Sequence, residues 1–197
     1  MADAARVREV FSSIARAMDE NCDYLVELDQ QNGDGDLGIS MKSGFAAVES
    51  ALAADPQDDL GRLFMKAAST LNQEAPSSLG TILSIGMMGM AKDLRGQTEA
   101  DAARMADALQ AGLDKIMEKT GSSLGEKTVL DALAPGVEAL RTGDLDAAAK
   151  AAAAGSEATR DMLAKHGRAA YYGEKSRGIL DGGSVVGRLI FEAIAAR

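Results

Sequence analysis

Arg6-Val7-Arg8-Glu9-Val10-Phe11-Ser12-Ser13-Ile14-Ala15-Arg16-Ala17-Met18 decides the fold class. Val7, Val10, Phe11, Ile14 and Met18 recur at three- and four-residue spacing and share one face, while Arg6, Arg8, Glu9 and Arg16 lie off it. That period belongs to an amphipathic helix. The same rhythm returns through Phe45, Val48 and Leu52, through Leu60, Leu63, Phe64, Ala67 and Leu71, and through Met105, Leu109, Leu113 and Met117. Strand formers are sparse and never alternate with polar residues over a sustained run, whereas Ala, Leu, Met, Glu and Lys abound. The chain reads as all-α. Breaks fall at residues 31–38, 55–57, 75–77, 96–97, 120–125, 142–144 and 173–183, which leaves about seven or eight helices joined mostly by short turns. The Ala-rich stretch 145–158 is read as a tightly packing helix rather than as disorder. No linker or internal repeat divides the 197 residues, so a single domain over 1–197 is expected.

Composition narrows the chemistry. The net charge is -9, which disfavours nucleic acid as a partner. No apolar run approaches the roughly 20 residues that cross a bilayer, and residues 1–7 lead into an amphipathic pattern rather than a signal-peptide core. A soluble, cytoplasmic protein with no membrane contact is expected. With one cysteine, Cys22, and one histidine, His166, no thiolate or imidazole metal cluster can form.

Oxygen ligands remain. Leu28-Asp29-Gln30-Gln31-Asn32-Gly33-Asp34-Gly35-Asp36-Leu37-Gly38 places three carboxylates within eight residues and threads glycines among them. Two carboxylates about 6 Å apart repel by roughly 2–3 kcal/mol at an effective dielectric near 20, so such crowding calls for a cation or strong donors. An all-oxygen set suits Mg²⁺ or Ca²⁺. The EF-hand register fails, since it would put Leu37 at the required Gly and Ser43 at the required Glu. A plain solvated turn, with one Asp capping the following helix, is the competing reading.

Three further segments carry polar specialists. Thr120-Gly121-Ser122-Ser123-Leu124-Gly125-Glu126-Lys127-Thr128 has glycines that would open a helix near Lys127, but its spacing and the helix before it rule out a P-loop. Ser77-Ser78-Leu79-Gly80-Thr81 follows Pro76 and reads as a helix start whose amides could meet phosphate, or as ordinary capping by Ser77 or Ser78. Behind it, Gly86 and Gly89 suit close helix contact, and Met87, Met88 and Met90 suit core or pocket lining. The run 167–183 offers Arg168 or Arg177 as a planar clamp on a phosphate and Asp181 before two glycines, or else a surface loop with a helix-capping Asp. His166, just upstream, reads as a helix-end cation.

In this order, the aspartate loop, Ser-Leu-Gly, Gly125-Glu126-Lys127-Thr128 with Asp131 and Pro135, and Gly-Arg-Ala-x-Tyr … Gly-x-x-Asp-x-Gly resemble the nucleotide-binding (ADP-binding) subunit of dihydroxyacetone kinases, the DhaL family. The resemblance covers roughly residues 5–195. It implies an up-and-down barrel of about eight amphipathic antiparallel helices with a nucleotide and Mg²⁺ site in the loops at one end. It also implies that Asp29, Asp34 and Asp36 hold two Mg²⁺ ions. Leu37, Gly38, Ile39 and Ser40 would then face the phosphates of ADP or ATP, Ser78, Leu79, Gly80 and Arg168 would add nucleotide contacts, and Gly121, Val129, Asp181 and Gly182 would border base and sugar. No catalytic residue is implied on this chain beyond these metal and phosphate ligands. The ketose sits on a partner subunit, and the donor is ATP or a phospho-His protein of a phosphotransferase system. Leu37, Leu79, Glu126, Val129 and Gly182 depart from the usual family pattern, in which His, a small hydroxyl residue, Asp, Met and Pro are common at those places. A non-catalytic helical module binding an apolar or regulatory ligand is the alternative.

Overall fold

The structure, a computed structural model, describes residues 1–196. Among the described residues there are nine α-helices: α1 (Ala4–Glu20), α2 (Cys22–Asp29), α3 (Leu37–Ala53), α4 (Leu60–Glu74), α5 (Ser78–Asp93), α6 (Ala102–Thr120), α7 (Leu130–Leu140), α8 (Leu145–Ala158) and α9 (Gly182–Ala195). Six of them start on a side-chain cap. The carboxylates of Asp3, Asp59, Asp101, Asp144 and Asp181 and the hydroxyl of Ser77 each accept from the backbone N–H three residues on, an arrangement worth typically about 1 kcal/mol apiece.

The long helices form a closed ring. Contacts run α1–α3, α3–α4, α4–α5, α5–α6, α6–α7, α7–α8 and α8–α9, and α9 packs back on α1. The short α2 lies against α3 outside that sequence. This is the all-α up-and-down barrel of eight helices. Its wall is built from the apolar stripes read in the sequence: Val7, Phe11, Ile14 and Met18 of α1, Phe45, Val48 and Leu52 of α3, and Leu60, Leu63, Ala67 and Leu71 of α4 are all buried. Glycine allows two close crossings. A Cβ on Gly89 would lie 2.7 Å from the Ala111 carbonyl, and one on Gly155 would lie 2.1 Å from the Asp131 carbonyl. Pro135 has no N–H to donate to that carbonyl, and Gly155 of α8 packs against it there. Inside the ring an apolar cavity of about 370 Å³ remains, lined by Val10, Phe11, Met87, Met90, Leu113 and Ile194 among others.

The up-and-down order fixes where the polar segments go. Alternate connections of such a barrel emerge at the same end, so the α2–α3, α4–α5, α6–α7 and α8–α9 loops share one end and the α3–α4, α5–α6 and α7–α8 loops the other. That second end is tied by β1 (Ala2–Asp3), paired antiparallel with β2 (Glu99–Ala100). Arg8 also donates there to the carbonyls of Leu52 (3.1 Å), Asp55 (2.7 Å) and Gln57 (2.5 Å).

Four local expectations are corrected. The chain breaks at Asn21, which divides α1 from α2. Irregular structure after α8 starts at Thr159 rather than at residue 173, and contains 3-10 turns at Thr159–Asp161 and Arg168–Ser176. The helix expected to open near Lys127 opens at Leu130, because Lys127 itself takes a left-handed conformation (φ 62°). His166 sits in that irregular segment rather than at a helix end. Among the described residues no helix is long and apolar enough to cross a membrane.

Candidate functional site

The aspartate loop is shaped by its own carboxylate. Asp29 ends α2, and its Oδ2 accepts from Gly35 N–H at 2.7 Å, so the loop folds back on it. A Cβ on Gly33 would meet the Asp29 carboxylate at 2.2 Å, which makes glycine obligatory there. One oxygen from each of Asp29, Asp34 and Asp36 lies within 4.8 Å of the others. The consequence appears in Asp36, whose carboxyl is held above its ordinary range by lost solvation first and by the charges of Asp34 and Asp29 next. Asp36 stands at the N-cap of α3 but makes no side-chain cap bond, so the capping alternative is not what the loop does. Arg168, from the α8–α9 segment, pairs with Asp34. The donor set fits a hard divalent cation: three clustered carboxylates, all oxygen, on a loop that glycine lets close.

Three other loops converge on this one. Leu37 Cδ2 lies 2.6 Å from where a Cβ on Gly182 would stand. Beside it, a Cβ on Gly183 would lie 3.2 Å from Asp181 Oδ2, 3.5 Å from Val129 N and 3.7 Å from Leu79 Cδ1. One residue from each of the four segments therefore meets at the start of α9. Leu37 and Val129 are buried and Leu79 half-buried, which gives this junction an apolar wall. Gly38 and Gly80 are packed under their own helix starts, since a Cβ would lie 2.1 Å from the Cys22 carbonyl in the first and 2.2 Å from the Ala75 carbonyl in the second. Ser40 is half-buried in the first turn of α3, whereas Ile39 and Ser78 face outward. Gly121 caps the C terminus of α6 at φ 70° with open space around it.

Asp181 and Asp131 organise the remaining loops. The Asp181 carboxylate accepts from Ser184 N–H at 2.7 Å, and burial pushes its carboxyl up to about 7 against the opposing pull of that N–H and of the Lys127 cation. Asp131 is buried and accepts from Gly125 N–H (2.5 Å) and Thr128 N–H (2.8 Å), which pins the α6–α7 loop to α7. Glu126 accepts from Ser123 N–H (2.8 Å) and is bonded to His166 Nε2 (2.6 Å), which holds its carboxyl down at about 2.

Two of these roles had no signal in the sequence. The Glu126–His166 bond joins residues 40 apart, and Lys127 is buried although lysine is ordinarily exposed.

Residues 31–196 match the DAK2 domain family. Among similar proteins, the ADP-binding subunit DhaL of the PEP-dependent dihydroxyacetone kinase 1 of Listeria innocua is 35% identical, over 89% of this chain and 87% of that protein. The corresponding Escherichia coli subunit is 28% identical over 89% of each chain. An L-erythrulose kinase of Pectobacterium atrosepticum is 30% identical over 89% of this chain but only 32% of its own length. In structure, the chain resembles the dihydroxyacetone kinase of C. freundii in complex with AMP-PNP and Mg²⁺, with a TM-score of 0.81 at 26% identity. All of this chain is covered, and 34% of that one.

Proposed function

The chain belongs to the DAK2 domain family, and from that premise we propose that it is the nucleotide-binding subunit of a kinase acting on dihydroxyacetone or a related short ketose. It holds ADP or ATP with Mg²⁺ and works only with a partner subunit that carries the ketose. The observation that carries this reading is the meeting of three carboxylates within 4.8 Å beside Arg168 and the uncapped start of α3.

Asp29, Asp34 and Asp36 would hold Mg²⁺, two ions by the family resemblance, which supplies charge neutralisation for phosphoryl transfer. The rest falls to the chain's own groups. Arg168 offers a planar guanidinium to phosphate oxygens. The first amides of α3, at Leu37, Gly38 and Ile39, and those of α5, at Ser78 and Leu79, face developing negative charge at helix N-termini, with the Ser40 hydroxyl and Gly80 beside them. Gly121, Val129, Asp181 and Gly182 would border base and sugar, where the Asp181 carboxylate can accept from hydroxyl groups. Nothing here attacks covalently, because transfer between bound partners asks mainly for position and charge.

The chain's one histidine is engaged with Glu126, so the ketose and any phospho-His group belong to partner proteins. The relatives matched along most of their own length are named as subunits of PEP-dependent or PTS-dependent kinases, which supports a phospho-His donor protein ahead of free ATP. The chain acts as one helical domain, 1–197, and a cytoplasmic location goes with this reading. As a test, the chain is incubated with Mg²⁺, ADP, dihydroxyacetone and a phospho-His donor protein charged by PEP, first without and then with a ketose-binding subunit. Product only in the second mixture is expected, and transfer by the chain alone would overturn the division of labour.

The apolar cavity inside the barrel favours one second reading, a module that takes an apolar ligand there. That reading leaves the crowded carboxylates at the loop end without a purpose.

A further inference from the structure

Lys127 is 3% exposed and lacks a carboxylate within bonding distance among the described residues; its ammonium donates to the carbonyls of Thr159 at 2.7 Å and Ile179 at 2.6 Å, with Met162 at 3.4 Å. All three of its N–H donors are thus directed at main chain. Burying an ammonium is costly unless every donor is met, and the residue additionally holds φ at 62°, a conformation that side chains other than Gly, Asn and Asp rarely adopt. Such a position persists only where the surroundings determine it.

The acceptors explain what is determined. Thr159 and Met162 open the polar segment between α8 and α9, and Ile179 closes it, two residues before Asp181. From Thr159 a buried hydroxyl network continues to the same place. Asp181 N–H donates to Thr159 Oγ1 (3.1 Å), Ser156 and Ser184 hydroxyls bond at 2.9 Å, and Ser184 Oγ donates to the Asp181 carbonyl (2.8 Å). Both ends of the segment are therefore gathered on one cation that belongs to the α6–α7 loop. Between those ends lies Arg168, paired with Asp34 of the aspartate loop.

We propose that Lys127 is the positioning residue of the nucleotide site: by clamping Thr159, Met162 and Ile179 it sets Arg168 and Asp181 against the aspartate loop. The proposal rests on the nucleotide-binding reading above. The Asp29–Gly35 bond that folds the aspartate loop involves no residue of the clamped segment. Removing the ammonium should weaken nucleotide binding while sparing the bare cation site, a division that general loss of structure would not produce.

The experiment compares wild type with Lys127→Met, which keeps the bulk of the side chain, and Lys127→Gly, which relieves the backbone conformation. Each full-length protein is titrated with ADP in Mg²⁺ and separately with Mn²⁺ alone, and its melting is recorded. Folded variants that bind ADP at least tenfold more weakly than wild type, with Mn²⁺ affinity within twofold, support the proposal. Equal ADP affinity overturns it, as does a parallel loss of ADP and Mn²⁺ binding. Failure of both variants to fold also overturns it, since Lys127 would then serve the barrel as a whole. Absence of ADP binding by the wild-type protein would instead remove the nucleotide reading on which the proposal stands.

Discussion

Leu37 occupies the space that a side chain on Gly182 would need: its Cδ2 is 2.6 Å from where that Cβ would lie. The start of α3 and the start of α9 are thereby fitted to each other across the mouth of the site. Gly182→Ala forces Leu37, itself buried, to move, and overpacking of this kind costs about 1 kcal/mol at its lower end. Because the clash is with the far end of a flexible side chain, Gly182→Ala should cost little in a Leu37→Ala background, although Leu37→Ala carries its own cost as a buried truncation. A double-mutant cycle of chemical denaturation measures it, and strict additivity would show that the two residues do not interact.

Gly38 predicts a harsher outcome for the same change. Its Cβ would stand 2.1 Å from the Cys22 carbonyl, which is backbone and cannot rotate away. Gly38→Ala should therefore cost more than Gly182→Ala, about 3 kcal/mol or more by the upper range of overpacking. The two denaturation midpoints, read side by side, decide the order.

These two glycines also show what could be read from sequence. The helical period of α1, α3, α4 and α6 announces itself because each helix buries one stripe, and the loop that crowds Asp29, Asp34 and Asp36 is legible because like charges need a reason to be neighbours. The break at Asn21 gives no such sign, since buried apolar residues continue across it from Met18 to Leu25 and Leu28. The two-residue strands are too short to carry any period. Lys127 reads in the sequence as the opening of a helix and as part of the Gly-Glu-Lys-Thr run, and its burial is not legible because it depends on carbonyls 32, 35 and 52 positions away. Leu37, Leu79 and Val129 depart from the family's usual residues, yet with Gly182 they meet at a single apolar junction, and only the fold reveals that.

Asp36→Asn should separate binding from stability. The charge on Asp36 is opposed by lost solvation and by two carboxylates, so neutralising it leaves the metal-free protein as stable or more so at neutral pH. Divalent cation affinity should nonetheless fall at least about tenfold, the low end of what even an outer partner of a metal ligand contributes. Mn²⁺ titration together with thermal melting checks both halves.

Asp131→Ala tests the α6–α7 loop. The substitution strands the N–H groups of Gly125 and Thr128, each at a cost of about 1–3 kcal/mol if it stays buried. Amide exchange across residues 121–129 should accelerate before the barrel as a whole does.

Asp181 gives stability a signature in pH. Its carboxyl titrates near 7 in the folded chain and near 3.8 when free, so between those values the folded state binds the extra proton. Stability from this group is then fully present below about 4 and is lost as pH rises through 7. Asp181→Asn keeps the α9 cap and removes the titration. The wild-type melting temperature should fall relative to the variant's between pH 4 and 7 and run parallel to it above, and a constant difference would refute the assignment. Glu126 works in the opposite sense and lower, stabilising above about 4.5 and losing that as pH falls toward 2.

The central claim is that the aspartate loop holds a nucleotide through a divalent cation. Calorimetric titration of ADP into the nucleotide-stripped chain, with and without Mg²⁺, tests it most directly. Binding of about -8 kcal/mol or better, micromolar or tighter, that disappears when Mg²⁺ is withheld is the predicted result. Affinity unchanged by Mg²⁺, or no binding in either condition, would contradict it.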